Sequence, residues 1–136
     1  MAKLTPHQAL IHIMVTMSAA DTSMSDNELS KIGNIIGSLP IFKGYNDDQL
    51  MEDIHECRNI LDHENGLETI IKNTQDSLSK EYHETAYAIA VEVAAADLNV
   101  EQPELRLLQI LRQDLNIDKL ICTAIERGAR ARHKEL

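Results

Sequence analysis

The chain contains two segments that repeat each other. Moving the sequence by 76 positions aligns residues 9–36 with residues 85–112, and seven of the 28 aligned pairs are identical. Unrelated segments of ordinary composition would share roughly two. The identical pairs are Ile13/Ile89, Val15/Val91, Ala19/Ala95, Ala20/Ala96, Asp21/Asp97, Glu28/Glu104 and Leu29/Leu105. This pattern indicates an internal duplication, so the fold must accommodate two similar units.

Each repeat is predicted to form a helix, a loop and a second helix. Thr5, Pro6 and Gln8 are typical of a helix start, and Ser25 with Glu28 forms a capping box for the next helix. Apolar residues follow at helical spacing in both helices. Later helix starts are predicted at Asn46 or Asp47, after Gly66, at Ser79, at Pro103, and at Asn116 or Asp118.

No segment shows the sustained alternation of apolar and polar residues that a half-buried strand requires. We therefore predict an all-α fold, a compact bundle of about seven helices with the helix-loop-helix duplication around two central helices. These central helices are the first, which starts at Pro6, and the fifth, which follows Ser79. The length of 136 residues favours one domain spanning 1–136.

Charge and cysteine content restrict the class of partner. The formal net charge of −9 disfavours nucleic acid and favours cations or basic protein surfaces. The two cysteines, Cys57 and Cys122, lie far apart without a CxxC motif, which fits reduced thiols. No apolar run is long enough to span a bilayer, and no secretory segment follows Met1. A cytoplasmic location without a direct membrane span is expected.

The segment from 43 to 68 is the most acidic part of the chain. Its predicted helix offers a candidate surface for binding a basic partner protein, formed by Asp47, Asp48, Glu52, Asp53 and Glu56. A cluster for zinc or iron on the same helix would combine Glu52, His55, Glu56 and His63. Only one copy of the Glu-x-x-His unit occurs, whereas di-iron bundles use two, so a solvated acidic face is the preferred interpretation.

An acidic pair occurs in each repeat: Asp21 with Glu28, and Asp97 with Glu104. An aspartate at a helix C-terminus costs about 0.3–1 kcal/mol unless something compensates its charge. Backbone N–H groups of the following loop are the simplest compensation, and Glu28 would then close its capping box. A divalent cation held by the four carboxylates is the second option, and a basic partner surface is the third.

Recognisable catalytic machinery is absent from the sequence. The repeats lack the ligand spacing of an EF-hand, and no Gly-rich phosphate loop or G-x-S-x-G motif occurs. Cys57 and Cys122 have no obvious local base. We expect a protein that is not an enzyme, with a hydrolase built on carboxylate and histidine ligands as the enzymatic alternative.

The repeated pattern Ala-Ala-Asp-x-x-apolar-x-x-x-Glu-Leu resembles the TerB-like tellurite-resistance family and the related N-terminal domain of DjlA-type membrane co-chaperones. It is carried by Ala19–Met24 with Glu28 and by Ala95–Val100 with Glu104. The resemblance implies a compact helical fold with two central helices and a cytoplasmic location. It also implies sensing or chelation of metal ions within a stress-response complex at the membrane.

Together these observations predict a non-enzymatic domain in tellurite resistance or stress response. Its expected ligand is a divalent cation of open identity, bound at Asp21, Glu28, Asp97 and Glu104. The alternative is a protein-interaction module, similar to a co-chaperone domain, that uses its acidic surface and has no metal site.

Overall fold

The computed structural model describes residues 4–18, 25–95 and 102–136. Within these ranges the chain forms seven α-helices and no strand, which confirms the all-α prediction. The helices are α1 (Pro6–Ser18), α2 (Asp26–Ser38), α3 (Leu50–Leu61), α4 (Gly66–Ser77), α5 (His83–Ala95), α6 (Gln102–Asp114) and α7 (Lys119–Arg132). Three short 3₁₀ turns, at Pro40–Phe42, Asp47–Gln49 and Lys80–Tyr82, lie in the connections.

Capping side chains set the starts of several helices. The Thr5 hydroxyl accepts from the Gln8 backbone N–H at 3.1 Å, and the Gln8 side chain accepts from the Thr5 N–H at 3.0 Å. Asp118 caps α7 by accepting from the Leu120 N–H. Asn116, the other candidate for that cap, has a φ of 52° and forms the left-handed turn before α7 instead.

Two helices begin later than the sequence pattern indicates, because a 3₁₀ turn precedes each of them. Asn46 caps the turn Asp47–Gln49, and α3 begins only at Leu50. Ser79 precedes the turn Lys80–Tyr82, and α5 begins at His83. A 3₁₀ turn uses the same capping residues as an α-helix, so the sequence signals for the two are alike.

Helix α1 lies at the centre of the bundle. All nine residues from Ala9 to Met17 are buried, because α1 packs against α3, α4 and α5. Helix α5 packs against α1, α7 and α6. A helix that is apolar on nearly all sides must be covered on all sides. The α1–α5 contact joins the first helices of the two repeats. None of the helices in the described ranges has the length and apolar character that a membrane span requires.

Candidate functional site

Two of the four predicted metal ligands, Glu28 and Glu104, lie among the residues that the structure describes. Asp21 and Asp97 lie outside the described residues. Glu28 is half-buried in the first turn of α2, where Ser25 Oγ donates to its carboxylate at 3.1 Å and accepts from its backbone N–H at 3.2 Å. The capping box at Ser25 is thus formed, and Glu28 contributes to the start of α2.

Glu104 has a different environment from Glu28. It lies in the first turn of α6 and is only 7% exposed. A carboxylate at this position interacts favourably with the positive end of the helix dipole. Among the described residues, no group of three or more His, Cys, Asp and Glu side chains is arranged to hold a metal ion. This includes the candidate cluster of Glu52, His55, Glu56 and His63, whose members are all exposed.

The acidic segment places four of its five predicted partner-binding residues on the outside. Asp47, Asp48, Glu52 and Glu56 are exposed, and we refer to these four as the acidic surface. Asp48, Glu52 and Glu56 follow each other at intervals of four residues, so they lie on one side of the helix. The salt bridges within the described ranges use Glu92 and Glu126 and none of these four.

Asp53 does not belong to the acidic surface, which corrects its assignment from the sequence. It is 1% exposed and lies on the inner side of α3. Tyr45 Oη donates to Asp53 Oδ2 at 2.6 Å, and Gln8 Nε2 donates to Oδ1 at 3.2 Å. Burial, followed by the bond to Asp53, raises the pKa of Tyr45. A buried carboxylate must be hydrogen-bonded, and Asp53 therefore links α3 to the start of α1.

A second polar group lies between the same two helices, one turn further along. The backbone carbonyl of His12 accepts from Thr16 Oγ1 at 2.7 Å and from Cys57 Sγ at 3.5 Å. Burial raises the pKa of the Cys57 thiol to about 12, so the thiol is neutral at physiological pH. Cys57 therefore fills space and donates a weak hydrogen bond, in agreement with the inert thiol expected from the sequence.

The sequence pattern did not identify His12 as a residue of interest. Its side chain is 1% exposed, and neither ring nitrogen has a hydrogen-bond partner among the described residues. Burial lowers the pKa of His12, although the charge and backbone of Asp53 oppose this change. The sequence did offer one signal, because His12 lies between Ile11 and Ile13 in an otherwise largely apolar predicted helix.

Helices α5, α6 and α7 carry their own polar contacts. Tyr87 on α5 donates to Glu126 on α7, and Arg112 on α6 pairs with Glu126 at 3.4 Å. Glu92 on α5 pairs with Arg132 at 2.7 Å and with His133 at 2.8 Å. Arg132 and His133, at the end of α7, are therefore paired with a carboxylate of α5.

Comparison with known proteins gives a family match. The family model described as "Tellurite resistance protein TerB" matches residues 7–126, which extend from the start of α1 into α7. No curated protein and no solved structure matches the chain.

Proposed function

The chain belongs to the TerB tellurite-resistance family, and on this premise we propose that it is a non-enzymatic docking module of a stress-response complex. Its acidic surface binds a basic segment of a partner protein. The observation that carries the proposal is the exposure of all four carboxylates of the acidic surface, on α3 and its preceding turn. Within the described ranges, these carboxylates are not neutralised by internal salt bridges.

An apolar side chain accompanies the four carboxylates. Met51 is 60% exposed, next to Glu52 and one turn from Asp47. Interfaces combine apolar anchors with charged residues, and methionine is common at surfaces that bind other proteins. Charge complementarity would set the rate and selectivity of encounter, while Met51 would contribute buried area.

Site-specific photo-crosslinking tests the docking proposal. A photo-reactive amino acid replaces Met51 in one variant and Leu120, which is 75% exposed on α7, in the matched control. After tellurite stress in cells, we expect a defined adduct from position 51 and none from position 120. The adduct should disappear when Asp47, Asp48, Glu52 and Glu56 are changed to Asn or Gln.

A charge-matched control separates the acidic surface from net charge. Four exposed acids elsewhere, Glu64, Glu68, Asp76 and Glu84, are neutralised in the same way. This control should keep the adduct and support growth on tellurite, whereas neutralising the acidic surface should abolish both. Equal behaviour of the two variants would contradict docking through α3.

Divalent-cation binding at Asp21, Glu28, Asp97 and Glu104 is the second candidate function. The observation in its favour is the repetition of the acidic pair in both units of the duplication, because four carboxylates supply the hard oxygen ligands that divalent cations prefer. Thermal unfolding with Ca²⁺, Mg²⁺, Mn²⁺ and Zn²⁺ after chelator treatment tests it. A cation at a hundred times its Kd adds about 2.7 kcal/mol to the free energy of unfolding.

The double variant Asp21→Asn/Asp97→Asn should lose this cation-dependent stabilisation. The matched control Asp47→Asn/Asp48→Asn changes the net charge equally on the acidic surface and should retain it. If none of the four cations stabilises the wild-type protein, cation binding at the acidic pairs is contradicted, and loop hydrogen bonds or a basic partner surface compensate the carboxylates instead.

A further inference from the structure

His12 is a buried base at the contact between α1 and α3. Its ring is 1% exposed, and neither ring nitrogen has a hydrogen-bond partner of normal geometry among the described residues, although the backbone of Asp53 acts on the ring. A buried polar group without partners is destabilising relative to an apolar side chain of similar size. Because the ring is neutral there, it can still take up a proton from solvent when the surrounding structure opens.

The charged and polar groups around the His12 ring determine whether its protonated form is stable in the closed structure. Asp53 on α3 is the charged group that acts on the ring and favours the protonated form. Its two carboxylate oxygens already accept from Gln8 and Tyr45. Desolvation acts in the opposite direction and is the larger effect. A proton on His12 in the closed structure is therefore unfavourable despite Asp53.

The other helices that pack against α1 provide no second counter-charge. The buried residues of α2 and α4 in the described ranges are uncharged: Ile32, Ile36, Gly66, Ile70, Ile71 and Thr74. On α5 the buried titratable residue is Tyr87, whose hydroxyl is bonded to Glu126. On α3 the other buried titratable group is the neutral thiol of Cys57, which donates to the His12 carbonyl, whereas Glu52, His55, Glu56 and Arg58 are exposed.

Helix α3 is the element whose separation from α1 matters for His12. Its outer side is charged and exposed, and its inner polar groups, Asp53 and Cys57, both form hydrogen bonds to α1. Separating α3 from α1 would give the His12 ring access to water. Local opening of one peripheral helix costs less than unfolding the whole bundle.

We propose that His12 makes the contact between α1 and α3 an acid-sensitive latch, in which uptake of a proton by the His12 ring loosens α3 from α1. Linkage between proton binding and opening determines how the closure of α3 depends on pH. The open state binds the proton more readily than the closed state, so closure is favoured above pH about 6.5, the ordinary pKa of histidine. Closure weakens as the pH falls below this value. The latch requires no partner and is independent of the docking proposal.

Cysteine labelling measures the opening of α3 directly. Cys57 lies in the contact between α1 and α3, and Cys122 on α7 is an internal control in the same chain; both are buried. The 136-residue protein is treated with N-ethylmaleimide between pH 7.5 and pH 5, and each cysteine is followed by peptide mass spectrometry. Rates are divided by those of the urea-unfolded protein at the same pH, which removes the intrinsic pH dependence of the thiols.

We expect the normalised labelling rate of Cys57 to rise by up to about tenfold for each pH unit below about 6.5, while that of Cys122 stays nearly constant. The rise should be absent in His12→Leu and in His12→Gln, which remove the titrating ring. Hydrogen exchange of the α3 amides provides a second measurement that needs no cysteine.

Three results would overturn the latch. The first is a Cys57 rate that does not change with pH in the wild-type protein. The second is an equal increase at Cys57 and Cys122, which would indicate global unfolding. The third is an unchanged increase in both His12 variants, which would assign the effect to another titrating group.

Discussion

Tyr87 combines complete burial with a polar group that must be satisfied. Its side chain is fully buried, and its hydroxyl donates to Glu126, which is also bonded to Arg112. Burial, reinforced by the bond to Glu126, raises the pKa of Tyr87. The hydroxyl therefore acts as a neutral donor at any physiological pH, and it connects α5 to α7.

Replacing Tyr87 by Phe should lower the free energy of unfolding by about 1 kcal/mol, because one hydrogen bond is lost while the ring remains. Urea unfolding followed by circular dichroism measures the change. Tyr82→Phe is the matched control, since Tyr82 is 41% exposed and its hydroxyl bonds to no described residue; its effect should stay below about 0.5 kcal/mol. Equal losses in the two variants would contradict a specific contact with Glu126.

At the scale of single residues, interactions between close neighbours in the sequence were predictable. The capping pairs Thr5/Gln8 and Ser25/Glu28 were predicted because their partners are three residues apart. Asp53 was placed on the wrong side of α3, because its partners Gln8 and Tyr45 come from other parts of the chain. Helical spacing alone cannot distinguish an exposed carboxylate from one that is buried with donors from distant segments.

At the scale of elements, Gly66 controls the junction between α3 and α4. A Cβ atom at this position would lie against the Ile60 carbonyl oxygen and 2.7 Å from Leu61 Cα. Backbone atoms cannot move aside without shifting the end of α3. The sequence indicated an interruption at Gly66, but the close approach of the two helices depends on the folded geometry.

Gly66→Ala should lower the free energy of unfolding by about 1–3 kcal/mol through this steric conflict. Gly33→Ala is the control, since a Cβ there meets nothing within 4 Å in the middle of α2. It should raise stability by about 0.5–1 kcal/mol through helix propensity. Chemical denaturation of both variants provides the measurement, and effects of the same sign would show that the close approach at Gly66 is unimportant.

The end of α7 is held to α5 by the contacts of Glu92 with Arg132 and His133. Burial alone would raise the pKa of Glu92, but the hydrogen bonds and charges of Arg132 and His133 outweigh it and lower this pKa. The stabilisation is therefore present above pH about 4.5, the ordinary pKa of a glutamate. It is lost as the pH falls through the lower value in the folded state.

Glu92→Gln should release the last turn of α7 while leaving the rest of the bundle folded. Hydrogen exchange at residues 129–133 should accelerate severalfold, and the variant should lose the acid dependence that the wild type shows below pH about 4.5 in this segment. Glu135→Gln, at an exposed position beyond α7, is the control and should leave the exchange unchanged. Global stability should change by less than about 1 kcal/mol, as is usual for partly exposed ion pairs.

Across the whole molecule, the α1–α5 contact joins two similar sets of helices. Helix α1 packs against α3, and α5 packs against α7. Adding the repeat offset of 76 to Thr16 and Cys57 gives Glu92 and His133, and each of these pairs is in contact. The sequence could predict the helical pairs because local periodicity encodes them. It could not predict that the same offset relates the α1–α3 contact to the α5–α7 contact, because the aligned segments 9–36 and 85–112 end before α3 and α7 begin.

Helix α5 contributes a stripe of small side chains to this central packing. Ala86, Ala90 and Ala94 are spaced four residues apart, and all three are buried. Such a stripe allows neighbouring helices to approach closely, and a larger side chain in it must push them apart. Ala90→Leu should therefore lower the free energy of unfolding by about 1–3 kcal/mol, whereas Ala124→Leu, at an exposed position on α7, should have little effect.

The same variant distinguishes a global defect from the local opening of α3. Because the α1–α5 contact supports both halves, Ala90→Leu should increase the labelling of Cys57 on α3 and Cys122 on α7 together, and it should do so already at neutral pH. Maleimide labelling with peptide mass spectrometry provides the measurement. If the labelling rate increased at only one of the two cysteines, the two halves of the bundle would open independently. The α1–α5 contact would then not couple them.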